Sequence, residues 1–255
     1  MGKSFGFTNG LLNFNRGYAK CVLTMRVNSL LFVLTALALS AFAGCSGAKI
    51  DPNDPAALYK EAEEEIQSEH YLVALEKLRN VRNKFPYSKY AVEAQLRIAD
   101  VYYFQELFPE AAASYESFRD LHPTHEKASY ATYRIAKSYF NDTPSNIARD
   151  LVSAQKAVEA YQNFIKRYPA AAESPEAKDD VLKLKELLAK KELYIANFYY
   201  KRDYYDSAKP RYKKILDLYP DTSTAEEAKE KLARIESRAQ AEGLSENGPS
   251  DGQHH

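Results

Sequence analysis

The sequence has no tryptophan, few glycines and only two cysteines, and these shortages exclude several classes of structure. Nine glycines among 255 residues are too few for a fold with many tight turns, whereas 20 tyrosines and 12 phenylalanines suit helices packed through aromatic rings. Both cysteines, Cys21 and Cys45, lie near the N-terminus, so removal of a leader after Gly44 would leave one thiol and no internal disulfide. We therefore predict an all-α protein.

The chain also lacks an excess of either charge. It carries 35 Lys and Arg against 35 Asp and Glu, which gives a net charge of zero at neutral pH. A protein that binds nucleic acid through its overall charge needs a basic excess. Nucleic acid is therefore not expected as a partner.

Catalytic and cofactor motifs are absent from the sequence as well. It contains no glycine-rich phosphate loop, no Gly-x-Ser-x-Gly elbow, and no carboxylate pair beyond those of an acidic helix face. His122 and His125 lie three residues apart without a third ligand nearby, so we interpret them as turn residues. The sequence predicts a protein that is not an enzyme and binds no cofactor or metal.

An export signal is present near the N-terminus. Residues 29–43 form an apolar run of 15 residues, with basic residues before it and small residues at its end. A helix needs roughly 20 apolar residues to span the hydrocarbon core, so this run indicates a cleaved signal rather than a permanent anchor. Met1 and Met25 are both compatible translation starts. Residues 1–44 are predicted to be the signal peptide.

Residues 42–45, Phe-Ala-Gly-Cys, resemble the lipobox of bacterial lipoproteins. The resemblance implies a diacylglycerol thioether on Cys45, with a plain secretory signal as the alternative. Serine at the next position, Ser46 here, implies transfer to the outer membrane in such families. Acyl chains would then hold the protein on the periplasmic face, because each buried methylene contributes about 0.8 kcal/mol. Residues 45–54 would be a lipidated linker.

The rest of the chain repeats one spacing of residues. An alanine is followed after four residues by a large apolar or aromatic residue and after twelve by a proline. Small residues let two antiparallel helices approach, the large residue fills the space one turn further, and the proline ends the second helix. The pattern resembles the tetratricopeptide repeat and predicts a solenoid of about five helix hairpins. Its instances are Ala74, Leu78 and Pro86; Ala111, Tyr115 and Pro123; Ala157, Tyr161 and Pro169; and Ala208, Tyr212 and Pro220.

A second recurring pair precedes three of these instances. It is an alanine followed three residues later by a tyrosine, and Ala62 matches the alanine of this pair without a tyrosine. Because the repeat already accounts for these tyrosines and for Tyr161, we predict that they are core residues. The pairs are Ala99 and Tyr102, Ala136 and Tyr139, and Ala196 and Tyr199.

The repeats are unequal in length. Successive repeat prolines are 37, 46 and 51 residues apart. The first excess falls in a polar loop at residues 141–146, and the second predicts an added or lengthened helix at residues 177–191. The repeat domain is predicted to span residues 55–238. Residues 239–255 are rich in Gly, Ser, Glu and Asn and predict a disordered tail.

The connectors are more specific than the repeat itself. They comprise residues 85–90 (Phe-Pro-Tyr-Ser-Lys-Tyr), 121–125 (Leu-His-Pro-Thr-His), 166–169 (Lys-Arg-Tyr-Pro) and 219–222 (Tyr-Pro-Asp-Thr), with Tyr130, Tyr133, Arg149, Asp150 and residues 187–190 (Leu-Leu-Ala-Lys) between them. Together they resemble the BamD family of β-barrel assembly lipoproteins over residues 51–238. The resemblance implies a scaffold that binds the periplasmic domains of a BamA-like barrel subunit and unfolded outer-membrane protein precursors, with accessory lipoproteins as further partners.

Charge is unevenly distributed along the chain. Residues 51–69 carry seven acidic residues and one lysine, whereas residues 181–214 carry ten Lys or Arg and four acidic residues. A solvated helix face explains either run; the functional alternative is that the basic run meets an acidic partner surface, which the resemblance places on the membrane-proximal BamA domain. Such charges would mainly affect the association rate and its salt dependence. The candidate residues are Lys190, Lys201, Arg202 and Arg211.

Tyr87 and Tyr90 lie outside the repeat pattern, on the connector between the first two hairpins. The family resemblance implies that the N-terminal repeats receive the C-terminal targeting strand of barrel precursors. We therefore predict that these two tyrosines contact the peptide, with simple packing of the turn as the alternative.

Two other functions suit a repeat lipoprotein. One is a pilotin-type lipoprotein for pilus or secretin assembly, in which regular repeats of about 34 residues would be expected. The other is a periplasmic regulator of cell-wall enzymes, because repeat scaffolds are reused for many functions. The assembly scaffold remains the main hypothesis because the connectors match it.

Overall fold

A computed structural model of the chain describes residue 51 and residues 53–246. In that part nine α-helices follow one another, with no β-strand between them. The all-α prediction is therefore confirmed. The helices are α1 (Pro55–Gln67), α2 (Tyr71–Lys84), α3 (Lys89–Phe104), α4 (Phe108–Leu121), α5 (Ala128–Asn141), α6 (Val152–Arg167), α7 (Ser174–Tyr200), α8 (Tyr205–Leu218) and α9 (Ser223–Glu246).

The helices pair into hairpins like those of tetratricopeptide repeats, and each packs mainly on its neighbours in sequence. The pairs are α1 with α2, α3 with α4, α5 with α6, and α7 with α8, while α9 packs on the last pair. The described residues therefore hold four complete hairpins and one further helix, where the sequence predicted about five hairpins. None of these helices combines the length and apolar character that a membrane crossing requires.

The spacing of small and large residues is explained by the core. The large residues of the pattern, Leu78, Tyr115, Tyr161 and Tyr212, are fully buried, which confirms their predicted role. The other predicted core tyrosines are half-buried and pack at the edges of the core clusters. The alanines are also fully buried, so that the helices approach closely at these points; they are Ala62, Ala74, Ala99, Ala111, Ala136, Ala157, Ala196 and Ala208.

The repeat prolines determine where the second helix of each hairpin ends. Each of α2, α4, α6 and α8 ends two residues before its proline. The residue before a proline is pushed out of the helical conformation, so the helix cannot continue there. In every case that residue carries a ring and has a φ between −127° and −133°. These residues are Phe85, His122, Tyr168 and Tyr219.

Helix α7 accounts for the longest repeat interval. It is one continuous helix of 27 residues, so the extra residues lengthen a helix and do not add one. Its first half packs against α6 through Ala177 and Leu184, and its second half packs against α8 through Leu193 and Ala196. Helix α7 thus packs against the third hairpin and is also the first helix of the fourth.

The last helix extends beyond the predicted end of the domain at residue 238. It continues to Glu246, so residues 239–246 are helical and the predicted disorder of this stretch is wrong. These residues read Ala-Gln-Ala-Glu-Gly-Leu-Ser-Glu, and their strong helix formers outweigh one glycine, which costs about 1 kcal/mol. Residues 247–255 of the predicted tail lie outside the described residues.

Candidate partner-binding surfaces

Four side chains form a line along the exposed side of α7 and the turn that follows it. Lys190, Tyr194, Phe198 and Arg202 are spaced four residues apart, which places successive members on neighbouring positions of one helix face. We call this set the α7 stripe. Tyr194 is 62% exposed and Phe198 is 46% exposed, although both are large and aromatic. The predicted residue Lys201 is also exposed and adjoins the stripe at the helix end.

Local contacts hold the stripe in place. The guanidinium carbon of Arg202 lies 3.7 Å from the ring centroid of Phe198, and its Nη1 donates to the Phe198 carbonyl at 3.3 Å. Lys190 pairs with Glu186, one turn earlier, at 3.5 Å. Aromatic residues and arginines are enriched among the residues that carry most of the energy of protein interfaces. The charged residues of this surface were predicted from the sequence, but Tyr194 and Phe198 were not. The four-residue spacing of the stripe is the sequence signal that could have revealed them.

Arg211 lies on another side of the molecule. Its Nη1 donates to Oε2 of Glu192 at 3.0 Å, while Lys214 donates to Oε1 of the same carboxylate at 2.6 Å. Burial opposes ionisation of Glu192, but these two hydrogen bonds hold its pKa below the usual value. Glu192 is two residues from Lys190, which is a rotation of about 200° around the helix axis, so Glu192 and its partner Arg211 lie on the side of α7 opposite Lys190. The structure therefore does not bring Arg211 into the α7 stripe but uses it to join α7 and α8.

The two connector tyrosines have different surroundings. Tyr87 is fully exposed between α2 and α3. Tyr90 is half-buried in the first turn of α3, where its ring centroid lies 5.7 Å from that of Tyr59 and 5.1 Å from Lys89 Nζ. Tyr87 is thus available for contact over its whole side chain, whereas Tyr90 also packs α1 against α3. Cys45 and the predicted signal peptide lie outside the described residues.

A network of polar side chains lies within the first three hairpins, and the sequence search missed it. Buried Asp100 accepts hydrogen bonds from Tyr115 at 2.6 Å, from Tyr130 at 2.8 Å and from Arg97 at 2.9 Å. Burial and the neighbouring Asp100 raise the pKa of Tyr130 to about 12 and raise that of Tyr115 further. Arg97 also pairs with Glu63 through two nitrogens, at 2.6 and 2.7 Å. The network therefore links α1, α3, α4 and α5.

A second buried carboxylate links the third hairpin to α7. Asp180 accepts from Lys137 at 2.9 Å, from Lys183 at 2.8 Å and from Tyr161 at 3.0 Å. A sequence signal marks several members of these polar contacts, because a polar residue directly follows four of the buried alanines. These polar residues are Glu63, Asp100, Lys137 and Asn197, of which Asn197 accepts from the Tyr212 hydroxyl at 2.6 Å.

The histidines near Pro123 pack against one ring. The ring centroids of His122 and His125 lie 5.2 and 5.3 Å from that of Phe118. His122 Nε2 is 3.1 Å from the side-chain oxygen of Gln95, which joins the connector to α3. Burial and the nearby His125 lower the pKa of His122. The described residues contain no group of three or more side chains suited to hold a metal.

Comparison with known proteins places this arrangement in a family. The family model described as YfiO, outer membrane lipoprotein, matches residues 51–249. The outer membrane protein assembly factor BamD of Neisseria gonorrhoeae is 32% identical over 213 residues, covering 78% of this chain and 80% of the relative. BamD of Vibrio cholerae is 29% identical and covers 76% of this chain and 85% of its own length.

Solved structures show more distant similarity. MamA from Desulfovibrio magneticus RS-1 has a TM-score of 0.37 and 18% identity, covering 66% of this chain and 77% of its own. The TPR-like repeats of a Podosopora anserina kinesin light chain have a TM-score of 0.39 and 15% identity, covering 89% and 94%. Similarity at this level says nothing about function. The family model and the curated relatives show that the chain belongs to the YfiO family of outer membrane lipoproteins, to which its BamD-like connectors had pointed.

Proposed function

We propose that this protein is a non-catalytic lipoprotein scaffold for the assembly of outer-membrane β-barrel proteins. Two relatives that match most of the chain are named outer membrane protein assembly factors, which supports this role. The lipid would be attached to Cys45 and hold the chain on the periplasmic face of the outer membrane. The helical repeats would then act only by binding, through side chains presented on rigid hairpins.

The α7 stripe is the surface that we assign to the barrel-forming subunit. Its exposed aromatic rings beside cations are the observation that carries the assignment, because a lone protein would gain by burying Tyr194 and Phe198. Lys190, Lys201 and Arg202 would meet an acidic surface on the periplasmic domains of a BamA-like partner. These exposed charges would chiefly speed association, while the two rings would supply most of the affinity.

Barrel precursors would bind at a different place. Tyr87 projects fully into solvent on the α2–α3 connector, and an exposed tyrosine offers a large contact area with few rotatable bonds. We propose that Tyr87 contacts the unfolded precursor, while Tyr90 holds the connector in place by packing against Tyr59 of α1. Accessory lipoproteins would bind surfaces apart from these two.

The assignment of the α7 stripe is tested by affinity isolation of the lipidated protein from gently solubilised envelopes. The double variant Tyr194→Ala, Phe198→Ala should recover at least about tenfold less of the barrel-forming subunit than the native chain, since the loss of a single hot-spot residue costs about 2 kcal/mol or more. Leu72→Ala is the matched control, because Leu72 is an apolar residue that is 79% exposed on α2. Recovery of pilus, secretin or cell-wall proteins in place of a barrel subunit would contradict the proposal.

A further inference from the structure

A cleft lies between α4 and α6, with α5 as its floor. It consists of two adjoining cavities of about 350 and 490 Å³, which share three lining residues. The shared residues are Arg119 from α4, Thr132 from α5 and Asn163 from α6. Three helices from two successive hairpins are needed to form this cleft, so no sequence motif marks it.

The cleft and the buried polar network lie on opposite sides of α5. Thr132, Ile135 and Tyr139 line the cleft, whereas Tyr130, Arg134 and Lys137 belong to the network around the buried carboxylates. At 100° per residue the two sets point about 160° apart. The cleft is therefore separate from the side chains that hold the hairpins together. It is also separate from the α7 stripe and from Tyr87.

One end of the cleft is basic. Arg119, Lys166 and Arg167 line its larger cavity together with Thr132 and Asn163, and no carboxylate is among these lining residues. Arg119 uses its Nε to bond Asp120 at 2.8 Å, which leaves its other N–H groups free to meet a ligand. A concave wall of one charge concentrates the electric field and attracts anions. A carboxylate is well matched to this end, because arginine can bind both of its oxygens.

The other end has an apolar wall. Ile135, Tyr139 and Ala160 line the smaller cavity together with the charged residues Lys156, Glu116 and Glu159. The Tyr139 hydroxyl donates to Glu116 at 3.1 Å, which fixes the ring as part of the wall. A small anion would use only the basic end, whereas an extended peptide would use both ends.

We propose that this cleft binds an extended acidic segment of a partner protein. A carboxylate of the segment lies at the end formed by Arg119, Lys166 and Arg167, and a neighbouring apolar side chain packs against Ile135 and Tyr139. The site would exist in this chain whichever partner binds the α7 stripe, so it adds a second protein contact to the scaffold.

The test measures fluorescence anisotropy of a labelled peptide of alternating glutamate and leucine, added to the intact chain in mild detergent. The native chain should bind this peptide, and the counterpart with glutamine in place of glutamate should bind at least about tenfold more weakly. The double variant Lys166→Glu, Arg167→Glu should lose about tenfold in affinity. The control is Arg82→Glu, Lys84→Glu, which reverses two charges in the last turn of α2, away from the cleft.

Asn163→Asp is a second variant that leaves the fold undisturbed, because Asn163 is exposed. It places one negative charge in the cavity that Arg119 and Lys166 line, and should also weaken peptide binding. Equal binding of the glutamate peptide by the native chain and by both cleft variants would overturn the proposal. So would binding of inorganic phosphate or phosphatidylglycerol vesicles at the cleft in preference to the peptide.

Discussion

Asp180 shows how a charge is kept inside this fold. The residue is 1% exposed, and burial alone would favour its neutral form. Hydrogen bonds from Lys183, Lys137 and Tyr161 outweigh burial and hold the pKa of Asp180 below its usual value. Burial and the adjacent Asp180 raise the pKa of Tyr161, which therefore stays a hydrogen-bond donor. Asp180 thus joins α5, α6 and α7 from the second turn of the long helix.

This arrangement predicts the effect of Asp180→Asn. The amide keeps the size of the side chain but leaves Lys137 with only the half-exposed Glu176, 2.7 Å away, as its counter-charge. The free energy of unfolding at pH 7 should therefore fall by about 2 kcal/mol. The folded-state pKa of Asp180 lies below the unfolded value of about 3.9, so the native chain loses this stabilisation as the pH falls through that range. The difference between the native chain and the variant should therefore shrink in acid.

Urea unfolding followed by circular dichroism at several pH values would measure that difference. Asp179→Asn is the control, because Asp179 is the exposed neighbour of Asp180. A loss of stability that is the same at pH 7 and in acid, or that Asp179→Asn reproduces, would rule out the role assigned to Asp180.

At the scale of elements, the tight turns of three hairpins are alike. The first helix of each ends before a residue with φ near +60°, namely Glu69, Glu106 and Asp203. In each turn the next amide donates to the carbonyl five residues earlier, as from Leu107 to Tyr102 at 3.0 Å. The third hairpin has a longer loop from α5 to α6, in which Leu151 is buried and the Arg149 carbonyl accepts from Lys191 at 2.6 Å.

Helix α8 contains a proline at its sixth position, Pro210. Its nitrogen cannot donate to the Asp206 carbonyl, so one helical hydrogen bond is missing. Pro210→Ala should therefore raise the free energy of unfolding by about 2 kcal/mol, measured by urea unfolding. Pro175→Ala is the matched control, because Pro175 lies in the first turn of α7, where no helical bond is lost. A decrease in stability for Pro210→Ala would show instead that the proline ring itself is needed for packing.

The helices could be predicted from the sequence because their contacts recur at fixed spacing. Buried alanines, large residues one turn on, and prolines marked the hairpins and the two longer intervals. The extent of α9 was underestimated because composition was taken as a sign of disorder where alanines and glutamates favour a helix. The exposure of Tyr194 and Phe198, the pairing of Arg211 with Glu192, and the cleft over α5 depend on how separate helices pack. The four-residue spacing from Lys190 to Arg202 indicates that Tyr194 and Phe198 share a helix face, but no local pattern shows that this face is exposed.

At the scale of the whole molecule, the candidate contacts lie on different hairpins. Tyr87 is on the connector of the first two hairpins, the basic cleft lies between the second and third, and the α7 stripe belongs to the fourth. Each core cluster combines one hairpin with the helix that follows it, so the hairpins are joined through their cores, and a change confined to exposed side chains of one should leave the others intact. A scaffold of this kind can bind several proteins at once, which suits an assembly role.

The most direct test of that role is depletion of the protein in its native cell, followed by measurement of folded β-barrel proteins in the outer membrane. Folded barrels should decline together while their unfolded precursors accumulate, and the Tyr194→Ala, Phe198→Ala variant should fail to restore them although it is stably produced. Unchanged levels of folded barrels after depletion, with defects confined to pili, secretins or the cell wall, would contradict the assembly function.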